Sequence, residues 1–138
     1  MTRRAARTHA FILIFQLPFR QDFDRSVMDN YLEGIEDADD EKGIAFIIKE
    51  VEGTIEKLAE IDAVIDSRLK DWNLARISKI DLALLRLAAY EINHSAEVST
   101  ATAINEAVEI AKIYGTDDSP SFINGLLGKM AKGDDNGK

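Results

Sequence analysis

Residues 77–92 read ISKIDLALLRLAAYEI, and from Leu82 to Tyr90 the only charged side chain is Arg86. A helix this apolar on almost every side is one that other helices pack around. Ser78 is a candidate N-cap for it, and the helix is expected to run to about Asn93. The period stays helical downstream. Ser99 or Thr100 caps a next helix that buries Ile104, Ala107, Val108, Ala111 and Tyr114 and stops at Gly115, a favoured C′ residue. Ser119-Pro120 reads as N-cap and N1 of a last helix burying Phe122, Ile123, Leu126, Leu127 and Met130. Asn124-Gly125 is a hairpin signal in isolation, but its apolar flanks have helical spacing.

Upstream, DWNLA (71–75) is the most turn-like stretch in the middle of the chain and divides two helical halves. Before it lie a short helix over 61–69 and a longer one over 40–59, whose stripe is Ile44, Ile47, Ile48, Val51, Ile55 and Leu58. A helix over 22–36 is capped by Asp22. A first helix over 3–17 is capped by Thr2 and ended by Pro18. The expectation is an all-α fold of about seven helices. It forms one domain over 1–138, with an N-terminal half to about residue 70, a C-terminal half over 71–132 and a polar tail from 133.

The composition suits such a fold. Of 138 residues, 46% are hydrophobic and 30% charged, too apolar for a disordered chain. The absence of cysteine excludes disulfides, a thiol nucleophile, Cys-ligated zinc and iron–sulfur clusters, and fits a reducing cytoplasm. No apolar run is long enough for a membrane span. FILIF (11–15) after a basic start is too short for a signal peptide and lacks a small-residue cleavage site.

The net charge is −8, which taken alone argues against nucleic acid. Its distribution says more. Residues 29–66 hold 13 acids and three bases. Arg3, Arg4, Arg7 and Arg20 stand in the first 20 residues with no acid among them. Arg68, Lys70, Arg76, Lys79 and Arg86 face only Asp71 and Asp81 over 68–86.

In a helix starting near residue 3, Arg3, Arg4 and Arg7 share one face, at the positive end of the helix dipole. Each uncompensated charge there costs roughly 0.3–1 kcal/mol. A polyanion is the natural compensating partner; the plain alternative is three solvated charges. Lys70, Arg76 and Lys79 form a second basic set. Arg86 either joins it or pairs with an internal acid such as Glu106 or Glu109. Trp72 reads as a core plug between the halves ahead of a stacking platform for a base. Asn105 and Asn124 read as interhelical hydrogen-bonding groups ahead of ligand contacts.

Enzyme chemistry finds little support. There is no Gly-rich phosphate loop, no Ser/His/Asp pattern and no His-x-x-x-His. Glu91 and His94 have Glu-x-x-His spacing, but a dimetal site needs a second such motif, so the pair reads as a helix end facing water. No catalytic residue, metal or cofactor is expected.

RRAAR before an apolar helix, ISKIDLALLRLAAYEI, AINEAVEIAKIYG and DDSPSFINGLLGKM, in that order, resemble the NusB family of transcription antitermination factors over residues 3–130. The resemblance implies seven helices in two packed halves. It implies a non-catalytic, cytoplasmic bacterial protein that binds boxA RNA of ribosomal-RNA transcripts together with NusE, a small-subunit ribosomal protein, and travels with RNA polymerase. On this resemblance Arg3, Arg4 and Arg7 match the arginine-rich RNA-binding motif, and Lys70, Arg76 and Lys79 lie where the family extends that surface. Asp118 matches an acidic position that tunes affinity downward, and NusE contacts fall on the outer faces of the fifth and sixth helices. Two departures stand out. VSTATAINEA lacks the proline that often precedes the Ala-Ile-Asn-Glu helix. The arginine motif is also short, which makes RNA binding partner-dependent and leaves room for a homodimer that hides this surface. The alternative is a protein-only interaction module, like the domain appended to ribosomal-RNA methyltransferases.

Overall fold

The computed structural model describes residues 1–70 and 73–135. Among them are seven α-helices and two 3-10 turns. The helices are α1 (Arg3–Phe15), α2 (Arg25–Glu33), α3 (Glu41–Glu56), α4 (Leu58–Ser67), α5 (Lys79–His94), α6 (Thr100–Tyr114) and α7 (Ser119–Asp135). The turns are Leu17–Phe19, after α1, and Leu74–Arg76, before α5.

The apolar run over 82–90 becomes the centre of the molecule. α5 packs against α1, α3, α4, α6 and α7, and Leu82–Leu85 and Leu87–Glu91 are all buried. One contiguous core takes side chains from all seven helices, including Leu13 and Ile14 of α1, Met28 of α2, Ile47 and Val51 of α3, Ile61 and Ile65 of α4, Ile110 of α6 and Leu127 of α7. Burying a side chain of this size contributes about 1.5–3 kcal/mol before entropy is counted, so the central position of α5 is what hydrophobic burial selects.

Caps set most boundaries. The side chains of Ser78 and Ser99 accept from the backbone N–H groups of Asp81 and Thr102. Thr2 does the same for Ala5. Several boundaries differ from the sequence reading, among them the α3–α4 junction, which falls at Lys57 and not near residue 60. α1 ends at Phe15, and Pro18 sits in the 3-10 turn that follows. α2 begins two residues later than expected because Asp24 is the cap, accepting from Ser26 and Val27, while Asp22 is taken by Arg20. Ser119 is not the N-cap of α7. Its hydroxyl accepts from the Thr116 N–H at 3.0 Å, and the Asp118 carbonyl takes the first helical bond, from Phe122.

Several side-chain readings also change. Asn105 and Asn124 are exposed, so neither bridges helices. Tyr114 and Ile55, read as buried, are 41% and 37% exposed. Trp72 lies outside the described residues.

Candidate nucleic-acid interface

The three N-terminal arginines begin on one helix and end in three environments. Arg3 is exposed, its guanidinium 4.1 Å from the centre of the Phe46 ring on α3. With Arg7, Phe46, Glu97, Ser99 and Thr102 it lines a cleft of about 320 Å³. Arg4 keeps its side chain 48% exposed but is gripped by α6: Nε donates to Glu106 Oε1 at 3.0 Å and Nη2 to Oε2 at 2.7 Å. Arg7 is turned inward and only 5% exposed. Its Nε lies 3.1–3.2 Å from both Glu91 oxygens, and Nη1 is 3.8 Å from Glu106. A helix N-terminus carrying only bases is thus compensated by carboxylates from α5 and α6.

Behind Arg7 lies a second buried acid. Glu50 of α3 is 1% exposed. Its carboxyl is pushed up to about 9, first by burial, then by its hydrogen bond to Glu91 and repulsion from that neighbour. It therefore holds a proton at neutral pH. Glu50 Oε1 is buried without a partner. Glu106, by contrast, is held below the usual carboxylate range by its hydrogen bond to Arg4. Glu91 is therefore the counter-ion of Arg7 and not half of a water-facing pair with His94. Breaking a buried ion pair of this kind costs about 3–5 kcal/mol.

Of the mid-chain basic residues, Lys79 stands apart from the N-terminal arginines. Lys79 lines a shallow pocket with Leu17, Pro18 and Leu82, at the far end of α1. Thirteen residues of helix put that end roughly 20 Å from the N-terminus. Arg76 is exposed. Arg86 pairs with neither Glu106 nor Glu109 but with Asp62 of α4, at 2.8 and 2.9 Å. α4 lies against that side of α5, and Glu106 is committed to Arg4.

Lys70 gains neighbours that the sequence reading missed. With Arg68, Ser121, Phe122, Gly125 and Lys129 it lines a groove of about 350 Å³ between the end of α4 and α7. Arg68 Nε is buried there without a hydrogen-bond partner. Asp118 is exposed at the start of α7, one turn before Phe122 on the same face. The groove thus combines three cations and an aromatic ring. A Ser-Phe-x-x-Gly-x-x-x-Lys spacing on one helix was the available signal, since it puts the four residues on one side.

An aromatic row is the other feature that periodicity did not reveal. Tyr114, Phe11, Phe15 and Phe19 follow one another at centroid distances of 5.3, 6.4 and 5.2 Å. Its ends are open: Phe19 is 61% exposed, Tyr114 41%, and Ile113 beside it 72%. α5, buried all round, offers little outer face.

No helix among the described residues is long and apolar enough to cross a membrane. No group of three or more His, Asp or Glu side chains among them could hold a metal.

The NusB family model matches residues 4–132. The transcription antitermination protein NusB of Acetivibrio thermocellus is 44% identical over 132 residues, 96% of this chain and 90% of that protein. The solved NusB of T. maritima superposes with a TM-score of 0.84 at 37% identity, covering 96% of this chain and 92% of that one. A NusB solved with NusE and double-stranded RNA shares the fold, with a TM-score of 0.84 at 21% identity over 94% of this chain and 96% of that one. With an apolar α5 at its centre and a match that runs almost end to end, the chain belongs to the NusB family.

Proposed function

We propose that the chain is a non-catalytic RNA-binding adaptor for transcription antitermination. It works in the bacterial cytoplasm, binds boxA-type single-stranded RNA jointly with NusE, and is carried with RNA polymerase. The observation that carries this reading is basic side chains left open to solvent on an acidic protein, in a family whose relatives are named for antitermination. Arg3 and Arg4 supply one cluster, and Lys70 and Lys129, beside the half-buried Arg68, the other. A relative has been solved with both NusE and RNA.

Phosphate attraction gives affinity without sequence information. Base choice then falls to unstacked bases read jointly with NusE. Arg7 acts from behind, fixing α1 on α5 so that Arg3 and Arg4 are presented. Arg76 and Lys79 are outlying phosphate contacts for a longer RNA. Asp118, exposed at the start of α7, weakens binding there. The acidic segment over 29–66 repels RNA elsewhere and restricts docking to the basic side.

The open aromatic row favours a second reading, a protein-only interaction module. It equally suits NusE or a second copy of the chain. Titration of a boxA oligonucleotide, with and without NusE, separates the readings. The adaptor binds boxA in preference to a scrambled RNA, more tightly with NusE, with log affinity falling against log salt at about 0.7 per phosphate contacted. Equal binding of both RNAs in both states leaves the protein-only module.

A further inference from the structure

The carboxylate of Glu106 makes its hydrogen bonds outward, to Arg4, and only an ion-pair contact inward, to Arg7. Arg7 Nε is held by both Glu91 oxygens at 3.1–3.2 Å, while Glu106 is an ion-pair neighbour of its Nη1 at 3.8 Å, beyond hydrogen-bond reach. Its true partner is Arg4, whose side chain is 48% exposed. Exposed pairs contribute little to folding. Yet this pair has the bidentate geometry by which arginine recognises phosphate, with Nε and Nη2 donating to the two carboxylate oxygens. Glu106 is held below the usual carboxylate range by Arg4, so it stays ionised across the neutral range. It reaches from α6 to the arginines at the start of α1 that an incoming RNA would use.

We infer that Glu106 sets the RNA affinity of this face by occupying Arg4 in place of phosphate. The inference rests on the RNA-binding reading above. A phosphate reaching Arg4 has two routes. It can displace Glu106 and take the Nε–Nη2 edge, which leaves a carboxylate without its fork. It can instead use Nη1, which has no partner among the described residues, and then lies within a few ångström of a negative charge. Both routes weaken binding, so removing the charge tightens it whichever is taken. The contact keeps the free protein's basic end largely neutral and reserves full affinity for RNA that NusE helps to hold.

The test is Glu106→Gln in the full chain, titrated with a single-stranded boxA oligonucleotide over a salt series, with melting measured alongside. The expected result is about threefold to tenfold tighter binding at moderate salt and a log–log slope steeper by up to about 0.7. The gain disappears in an Arg4→Ala background. A loss of folding cannot produce tighter binding, which keeps the readout clean. Glu106→Asp, which keeps the charge but shortens the side chain and breaks the two-point grip on Arg4, is the second variant and is expected to give a smaller gain. Unchanged or weaker binding by both variants, melting with the wild type, overturns the inference while leaving RNA binding intact. Wild-type protein that does not prefer boxA over scrambled RNA, with or without NusE, overturns both.

Discussion

Arg7, Glu91 and Glu50 lie where α1, α3 and α5 meet, with one positive charge between two carboxyls. Burial makes a second ionised carboxylate there expensive, so Glu50 keeps its proton. The sign of the pH dependence follows. Glu50 has an ordinary value of 4.5 and is raised to about 9 in the fold. Its contribution to stability is therefore complete below about pH 4.5 and is lost as pH rises through about 9, with a slope of up to about 1.4 kcal/mol per unit. Thermal melting should fall between pH 6 and pH 9, and Glu50→Gln, which keeps the donor but cannot ionise, should flatten most of that fall. An unchanged profile in the variant would place the titrating group elsewhere. At this scale the sequence was only half legible. Helical spacing correctly put Arg3, Arg4 and Arg7 on one helix, but spacing does not say which neighbour covers a residue. The covering acids, Glu91 and Glu106, come from 84 and 102 residues along the chain. Glu50 did leave a trace, since it falls three residues after Ile47 and four before Thr54, on the buried stripe.

The elements were the most readable part of the chain, because caps and periodicity act locally. Ser78, Ser99 and Thr2 cap as their positions suggest. Two misplacements occur where candidates compete within a few residues: Asp24 prevails over Asp22, and the Asp118 backbone over the Ser119 hydroxyl; the α3–α4 junction was misplaced because no side chain caps α4. Packing between elements left less trace. Gly53 of α3 lies so close to α5 that a Cβ there would overlap the Tyr90 ring, whereas Gly128 of α7 has open space around the same position. Alanine favours helix over glycine by about 0.8–1 kcal/mol, so the two sites should respond with opposite sign. Gly128→Ala should stabilise by about 0.5–1 kcal/mol. Gly53→Ala should lose about 1–3 kcal/mol through overpacking of α3 on α5. Denaturant midpoints of the two variants check this, and a stabilised Gly53→Ala would mean the crossing of these helices is looser than described.

For the whole molecule, an acidic chain turns its positive charge outward in two separate places. The N-terminal cluster was visible as a run of arginines. The α4–α7 groove was not, because Arg68 and Lys70 meet Lys129 only after the chain has folded around α5. Lys79 shows the converse: near Lys70 in sequence, it lies at the opposite end of α1 from Arg3. The row from Tyr114 to Phe19 was hidden for a similar reason, since its rings come from α1, α6 and the turn after α1, and each alone passes as core. The molecule thus carries two basic surfaces and an open apolar edge, the features on which the adaptor proposal rests.

The most direct test of this account is the affinity of a single-stranded boxA oligonucleotide for the wild-type protein and for Arg3→Ala/Arg4→Ala, with NusE present, over a salt series. The account predicts that the double variant melts within a few degrees of the wild type, binds about tenfold or more weakly, and loses roughly one to two phosphate contacts from its salt slope. Equal affinity and an equal slope in a folded double variant would contradict it, and would move the RNA away from the start of α1.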